Sequence, residues 1–273
     1  MGTPLPCTGS HEGAGTIVAV GSAVKDFSIG ERVMAGIIYR ACGTCSDCQG
    51  PENYRQYCQF SGGYCGVTTH GFFAEYARID ATQAAKLPDA VTFETAAPLA
   101  CAGCTIYRGV VLSGLIKGLE LTRNGGADVV VDARKGFEAV VKDVHAVTNG
   151  EGVACTLNVS DANSAMATCC GMTRMHGTVI QIAQPDNVVV PFCELIFRDI
   201  RVRGSLIASP NEARDMLALV ARHGISVHTN AFNGLDEIAK MVELAHSGRM
   251  KGKGIVIVDK EQVAKEQEMG ATV

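Results

Sequence analysis

A strong excess of charge of either sign is missing from this chain. Lysine and arginine number 24, aspartate and glutamate 28, charged residues make up 19% of the chain, and the formal net charge is −4. No basic stripe invites phosphates, so nucleic acid and anionic membrane are excluded as expected partners. Long apolar runs are missing too. None approaches the roughly 20 residues of a bilayer span, so no membrane segment is expected. The opening 1–6 has no positively charged stretch leading into an apolar core, so no secretory leader is expected. Pro6 at the sixth position breaks the myristoylation pattern. Internal repeats and low-complexity tracts are also lacking.

Cysteine, by contrast, is plentiful. There are 12 in 273 residues. Without a leader, that number favours a reducing compartment, the cytoplasm, and thiolate chemistry over disulfides. Cys155, Cys169, Cys170 and Cys193 sit among apolar residues and read as core packing.

Four others form a motif. Cys42, Cys45 and Cys48 follow one another with two residues between each, and Cys58 follows after nine more. The two-residue spacing lets tight turns gather neighbouring sulfurs, and four thiolates suit tetrahedral zinc at about 2.3 Å per bond. Such a site is closed to substrate and acts as a staple. An iron–sulfur cluster and disulfides in a secreted chain are the competing readings. Cys65 is a rival fourth ligand, reached only by closing a longer loop.

The first hundred residues read as β-rich. A β-branched run covers 16–20, a turn at 28–31 feeds a second strand, and 71–77 looks like a returning strand. His11 beside Glu12 is weak by itself, and Cys101 could be a core thiol or a ligand.

From residue 127 the pattern changes. Strands are expected at 129–132, 153–159, 178–182, 200–205 and 255–258. Phe137, Val140, Val141 and Val144 recur at helical spacing, and Ser160 or Asp161 is the expected cap of the following helix. Ser209-Pro210-Asn211-Glu212 starts another helix, stopped by Gly224, and a further helix runs from Leu235 to Gly248. Alternating strands and helices imply a doubly wound parallel sheet, hence an α/β chain.

In this order the motifs resemble the zinc-containing alcohol dehydrogenases of the medium-chain dehydrogenase/reductase family. The marks are His11-Glu12-Gly13-Ala14-Gly15, the four-cysteine lobe, Gly71-Phe72-Phe73-Ala74-Glu75-Tyr76 and Ala97-Pro98-Leu99-Ala100-Cys101-Ala102-Gly103. The resemblance implies a GroES-like β-rich catalytic domain over 1–103 and 225–273, with a zinc lobe near 40–60, and a Rossmann-like cofactor domain over 104–224. It implies one structural and one catalytic Zn²⁺, a bound NAD or NADP, and a small alcohol, aldehyde or ketone as substrate. His11 and Cys101 match two ligands of the family's catalytic zinc, and Glu12 matches the acidic residue beside it. Gly204, Ser205 and Lys253 fall where relatives approach the cofactor, and a homo-oligomer is in keeping with the family.

Two departures stand against these matches. The family's first zinc ligand lies upstream of the His-Glu pair, where only Cys7 is found, so the chain reads as truncated at its N-terminus. The glycine fingerprint G-x-G-x-x-G is also absent. The sequence passes from 111–115 to 118–128 as though one βαβ unit, on the order of 30 residues, were skipped, leaving the Rossmann domain incomplete and the fold poorly stable. A zinc-dependent alcohol dehydrogenase is therefore the leading expectation. A catalytically inactive zinc-binding fragment or pseudoenzyme of the same family is the alternative.

Overall fold

The computed structural model describes residues 5–113, 129 and 131–273. The segment read as the site of the internal deletion, 114–128, lies outside the described residues, as does Val130 within the strand expected at 129–132. The chain divides into two compact units, Met1–Cys104 with Ile207–Val273, and Thr105–Leu206.

The first unit opens with short strands, β1 (Gly13–Thr16), β2 (Arg32–Ala35) and β3 (Ile38–Tyr39). β1 pairs antiparallel with β2, Gly13 opposite Ala35 and Thr16 opposite Arg32. The strand expected at 16–20 is thus displaced toward the N-terminus, although the Ile17 amide still donates to the Glu31 carbonyl at 2.9 Å. A one-turn helix, α1 (Ser46–Gln49), and a 3₁₀ turn, Glu52–Tyr57, form the cysteine lobe. β4 (Gly63–Tyr64) pairs with β3, and β5 (Ala85–Lys86) with β2. The returning strand expected at 71–77 does not form. Its amides are spent on a loop distant in sequence instead, Gly71, Phe72 and Phe73 donating to the carbonyls of Thr8, Ser10 and Gly9.

α2 (Phe93–Pro98) starts at Thr92, whose side chain accepts from the Thr95 amide. A wide turn, Leu99–Gly103, joins it to α3 (Cys104–Leu112). The 20-residue helical run Phe93–Leu112 is long and apolar enough, by length and composition, to cross a membrane, contrary to the expectation of no such run. Phe93, Ala96, Leu99, Ala100 and Cys104 are nevertheless buried in the protein core, as expected of a core helix.

In the second unit, α4 (Phe137–Val147) presents the expected apolar spacing and buries Val140. β6 (Val153–Asn158), α5 (Ala165–Met172), β7 (Thr173–Gln181), α6 (Phe192–Ile196) and β8 (Arg201–Gly204) follow. β6, β7 and β8 lie side by side in a parallel sheet. The cap expected at Ser160 or Asp161 is displaced. α5 begins after Ser164, because Ser160 and Asn158 use their side chains to turn the preceding loop. Met166, Cys169, Cys170, Val179 and Ile200 form the unit's core cluster. Cys169 and Cys170 are therefore core thiols as expected, Cys155 is half-buried, and Cys193 is exposed on the surface of α6.

The chain then returns to the first unit with α7 (Pro210–His223), β9 (Thr229–Asn233), α8 (Ile238–His246), β10 (Lys253–Ile257) and α9 (Lys260–Glu268). α7 has the full capping box, Ser209 and Glu212 bonding reciprocally, and ends at Gly224 in the left-handed region. The return falls at residue 207, where the sequence reading placed it at 225. The reason lies at the start of α7, where Ser209 Oγ donates to Glu52 Oε2 at 2.6 Å and the Asn211 amide donates to Glu52 Oε1 at 2.8 Å. Met216, Leu217 and Val220 complete the helix's buried face.

Candidate metal and cofactor sites

The cysteine lobe brings four sulfurs together. The Sγ atoms of Cys42, Cys45, Cys48 and Cys58 all lie within 4.8 Å of one another, with Cys42–Cys48 and Cys45–Cys58 each at 3.9 Å. A tetrahedron with metal–sulfur bonds of about 2.3 Å has edges of about 3.8 Å, so the cluster has the dimensions of a zinc site. The backbone favours thiolate at its outer corner. The Thr44 and Cys45 amides donate to Cys42 Sγ at 3.4 and 3.3 Å and bring its pKa down to about 6. Burial pushes the Cys48 thiol up to about 12. A cation at the centre is what lets a sulfur so placed ionise. Cys65 is outside the group. It is fully buried, its amide bonded to the Ile37 carbonyl.

A second group joins distant segments. His11, Glu12 and Cys101 each place a ligand atom within 4.8 Å of the others, all three partly buried. His11 and Glu12 come from the turn before β1. Two glycines admit that turn, since a Cβ on Gly71 would stand 1.9 Å from the Ser10 carbonyl oxygen and one on Gly66 2.1 Å from it. Ser10 itself has φ 71°, and its hydroxyl donates to the Glu12 carbonyl at 3.0 Å. Cys101 arrives on the wide turn after Pro98, where the Cys104 amide reaches back to the Leu99 carbonyl. Such turns break helical register and are frequent at functional sites.

Glu12 has further partners. Lys253 Nζ lies 2.8 Å from Glu12 Oε2, and the Ala102 amide donates to Oε1 at 3.3 Å. Lys253, expected near the cofactor, is thus placed on the acidic member of the metal group. Three partly buried ligands of mixed type fit a catalytic zinc, which keeps one position open.

His11 and Glu12 also line a cleft of about 1070 Å³ in the first unit. Thr8 and His70 line it too, with Thr8 Oγ1 3.0 Å from His70 Nδ1. The sequence reading passed over His70, which carries no motif and is brought there only by the loop bonding of 69–73.

In the second unit Gly204 ends β8, and Ser205 follows, its amide bonded to the Gln181 carbonyl at 3.0 Å. Among the described residues, Ser205 Oγ is buried without a hydrogen-bond partner. Asn158 and Gln181 end β6 and β7, their side chains joined at 2.8 Å. These polar groups gather at the carboxyl edge of a parallel sheet, where open α/β sheets bind ligands. Asn158 and Gln181 were missed because their strands were recognised but not their shared edge. The orphaned Ser205 hydroxyl fits a polar cofactor at that edge.

Residues 1–89 match the family model of the alcohol dehydrogenase GroES-like domain, and 97–222 that of the zinc-binding dehydrogenases. Together they define a two-part oxidoreductase with GroES-like and Rossmann-like portions. The chain is 27% identical to an alcohol dehydrogenase of Geobacillus stearothermophilus over 294 positions, covering 94% of this chain and 84% of that protein. It is 26% identical to alcohol dehydrogenase 1 of Emericella nidulans, covering 92% and 82%. The structure of the alcohol dehydrogenase from Aeropyrum pernix superposes with a TM-score of 0.80 at 24% identity, covering 93% of this chain and 84% of that one. The Geobacillus alignment is longer than the 273-residue chain, so that relative carries residues within the aligned span that this chain lacks. The chain belongs to the zinc-containing alcohol dehydrogenase family of medium-chain dehydrogenases/reductases, and is an oxidoreductase of that type.

Proposed function

We propose that the chain transfers hydride between a small alcohol and the corresponding aldehyde or ketone, with NAD or NADP as the other partner. The observation that carries this reading is the convergence of His11, Glu12 and Cys101 from segments 90 residues apart onto one point beside an open cleft. When bound, zinc there supplies the Lewis acidity that lowers an alcohol's pKa, and the nicotinamide supplies the hydride acceptor.

The protein's own groups do the placing. His11 and Cys101 hold the metal, and Glu12 adds a carboxylate whose charge Lys253 offsets. The Thr8 hydroxyl and the His70 imidazole form a hydrogen-bonded pair open to solvent for proton exchange. Ser205, with Asn158 and Gln181, offers polar contacts to the cofactor, and Gly204 lets it approach the backbone closely. Cys42, Cys45, Cys48 and Cys58 hold a structural zinc that shapes the lobe. The cysteine chemistry supports a reducing compartment, the cytoplasm. Phe192, Ile196 and Phe197, each 71% exposed on and beside α6, support assembly into a homo-oligomer.

The test is alcohol-dependent reduction of NAD and of NADP by the zinc-loaded protein, followed by nicotinamide absorbance. The proposal expects turnover with one of them, and its loss in His11→Ala and Cys101→Ala. Turnover unchanged in both variants would overturn it.

A further inference from the structure

Ser10 holds a backbone conformation that its residue type disfavours. Its φ is 71°, in the left-handed region where a Cβ crowds the carbonyl and glycine is the default residue. Outliers of this kind persist where the surroundings over-determine them, and they cluster at functional sites. Ser10 immediately precedes His11 and Glu12, two of the three residues of the second metal group.

Two sets of contacts hold the outlier. The first is backbone. The carbonyls of Thr8, Gly9 and Ser10 accept from the amides of Gly71, Phe73 and Phe72 at 2.8, 3.1 and 3.0 Å. These bonds fix the chain as far as Ser10 and would serve a glycine there equally well. The second set belongs to the side chain. Ser10 Oγ donates to the Glu12 carbonyl at 3.0 Å and accepts from the Glu12 amide at 3.4 Å. One hydroxyl can do both, having one donor hydrogen and two lone pairs. It meets both backbone groups of Glu12 and closes a turn across His11. β1 begins at the next residue, Gly13, so the two ligand residues are held between the serine hydroxyl and the strand. Glycine could take the same φ but could not close that turn.

We infer that Ser10 is a positioning residue for the second metal group: its hydroxyl sets the turn that directs the His11 imidazole and the Glu12 carboxylate to the point where they meet the Cys101 thiol. The inference rests on the reading of those three side chains as a metal site and deepens it. Groups that orient metal ligands without touching the metal commonly account for tenfold or more in affinity, and this serine orients two ligands through one stretch of backbone.

The test uses the full chain with zinc in the cysteine lobe and cobalt(II) titrated into the second group. Cobalt absorbance gives the affinity, and its ligand-field and thiolate charge-transfer bands report the geometry. Ser10→Gly relieves the strained φ and removes the hydroxyl. It should bind cobalt about tenfold more weakly, with altered bands. Ser10→Thr keeps the hydroxyl but puts a β-branched residue at positive φ, a marked outlier. It should unfold at a lower temperature and keep the wild-type affinity and bands. Affinity then follows the hydroxyl, whereas a purely structural role would make it follow the thermal midpoint. Wild-type affinity and bands in Ser10→Gly would overturn the inference and leave the metal site standing. A wild-type chain that binds no cobalt at the second group would overturn the metal reading and this inference with it.

Discussion

Lys253 and Glu12, 241 residues apart in sequence, form an ion pair at 2.8 Å beside the thiol of Cys101. The ammonium competes with any metal for the same carboxylate oxygens. Its side chain is 40% exposed and that of Glu12 20%, so solvent weakens the competition and the pair is worth at most about 1 kcal/mol. Lys253→Met should therefore tighten zinc binding at the His11 group, by up to about fivefold. Titration against a chelator, with the cysteine lobe already filled, checks this. Weaker binding would mean that Lys253 orients Glu12 for the metal.

Gly71 bears on the same group through the backbone. A methyl group there would lie 1.9 Å from the Ser10 oxygen, and backbone cannot yield as a flexible side chain does. Gly71→Ala should destabilise the fold by about 1–3 kcal/mol and reduce zinc at His11 while leaving the cysteine lobe filled. Thermal unfolding together with metal analysis reads both effects.

Glu52 ties the cysteine lobe to α7. Its carboxylate accepts from Ser209 Oγ and from the Asn211 amide at the helix N-terminus, where negative charge is favourable. Glu52→Ala should cost about 1–2 kcal/mol, seen as a lower midpoint in denaturant. An unchanged midpoint would show that the capping box of Ser209 and Glu212 holds α7 unaided.

Arg32 and Glu266 are buried together, their side chains 7% and 1% exposed, at 3.0 Å. Arg32 also donates to the carbonyls of Pro88, Asp89 and Val91, and the Phe93 amide donates to Glu266. Burial raises the pKa of the Glu266 carboxyl, outweighing the opposing pull of the Phe93 amide and Arg32. A carboxyl whose folded pKa is raised holds its proton more tightly folded than unfolded. Its contribution to stability is fully present below the unfolded pKa and is lost as pH rises through the folded pKa. The wild type should thus gain stability relative to Glu266→Gln as pH falls through that window. Thermal midpoints of the two proteins across pH check the sign, and a gap that widens with rising pH would contradict it.

Local chemistry made much of this legible in sequence. The capping box at Ser209 and Glu212, the stop at Gly224 and the apolar spacing of α4 need only neighbouring residues, and they formed where expected. The spacing of Cys42, Cys45 and Cys48 fixes a turn, so the cysteine lobe was readable as well. What escaped depended on distant partners. The run at 71–77 has strand composition, but its amides are taken by Thr8, Gly9 and Ser10. Residues 207–224 join the first unit because Glu52 receives them. The pairing of Lys253 with Glu12 spans almost the whole chain, and no periodicity encodes it.

Zinc stoichiometry tests the central claim most directly. The purified chain should hold two zinc ions, one at the four cysteines and one at His11, Glu12 and Cys101. His11→Ala and Cys101→Ala should each remove one ion and leave the other. A single zinc in the wild type, retained in both variants, would contradict the account of the second site and with it the dehydrogenase chemistry placed there.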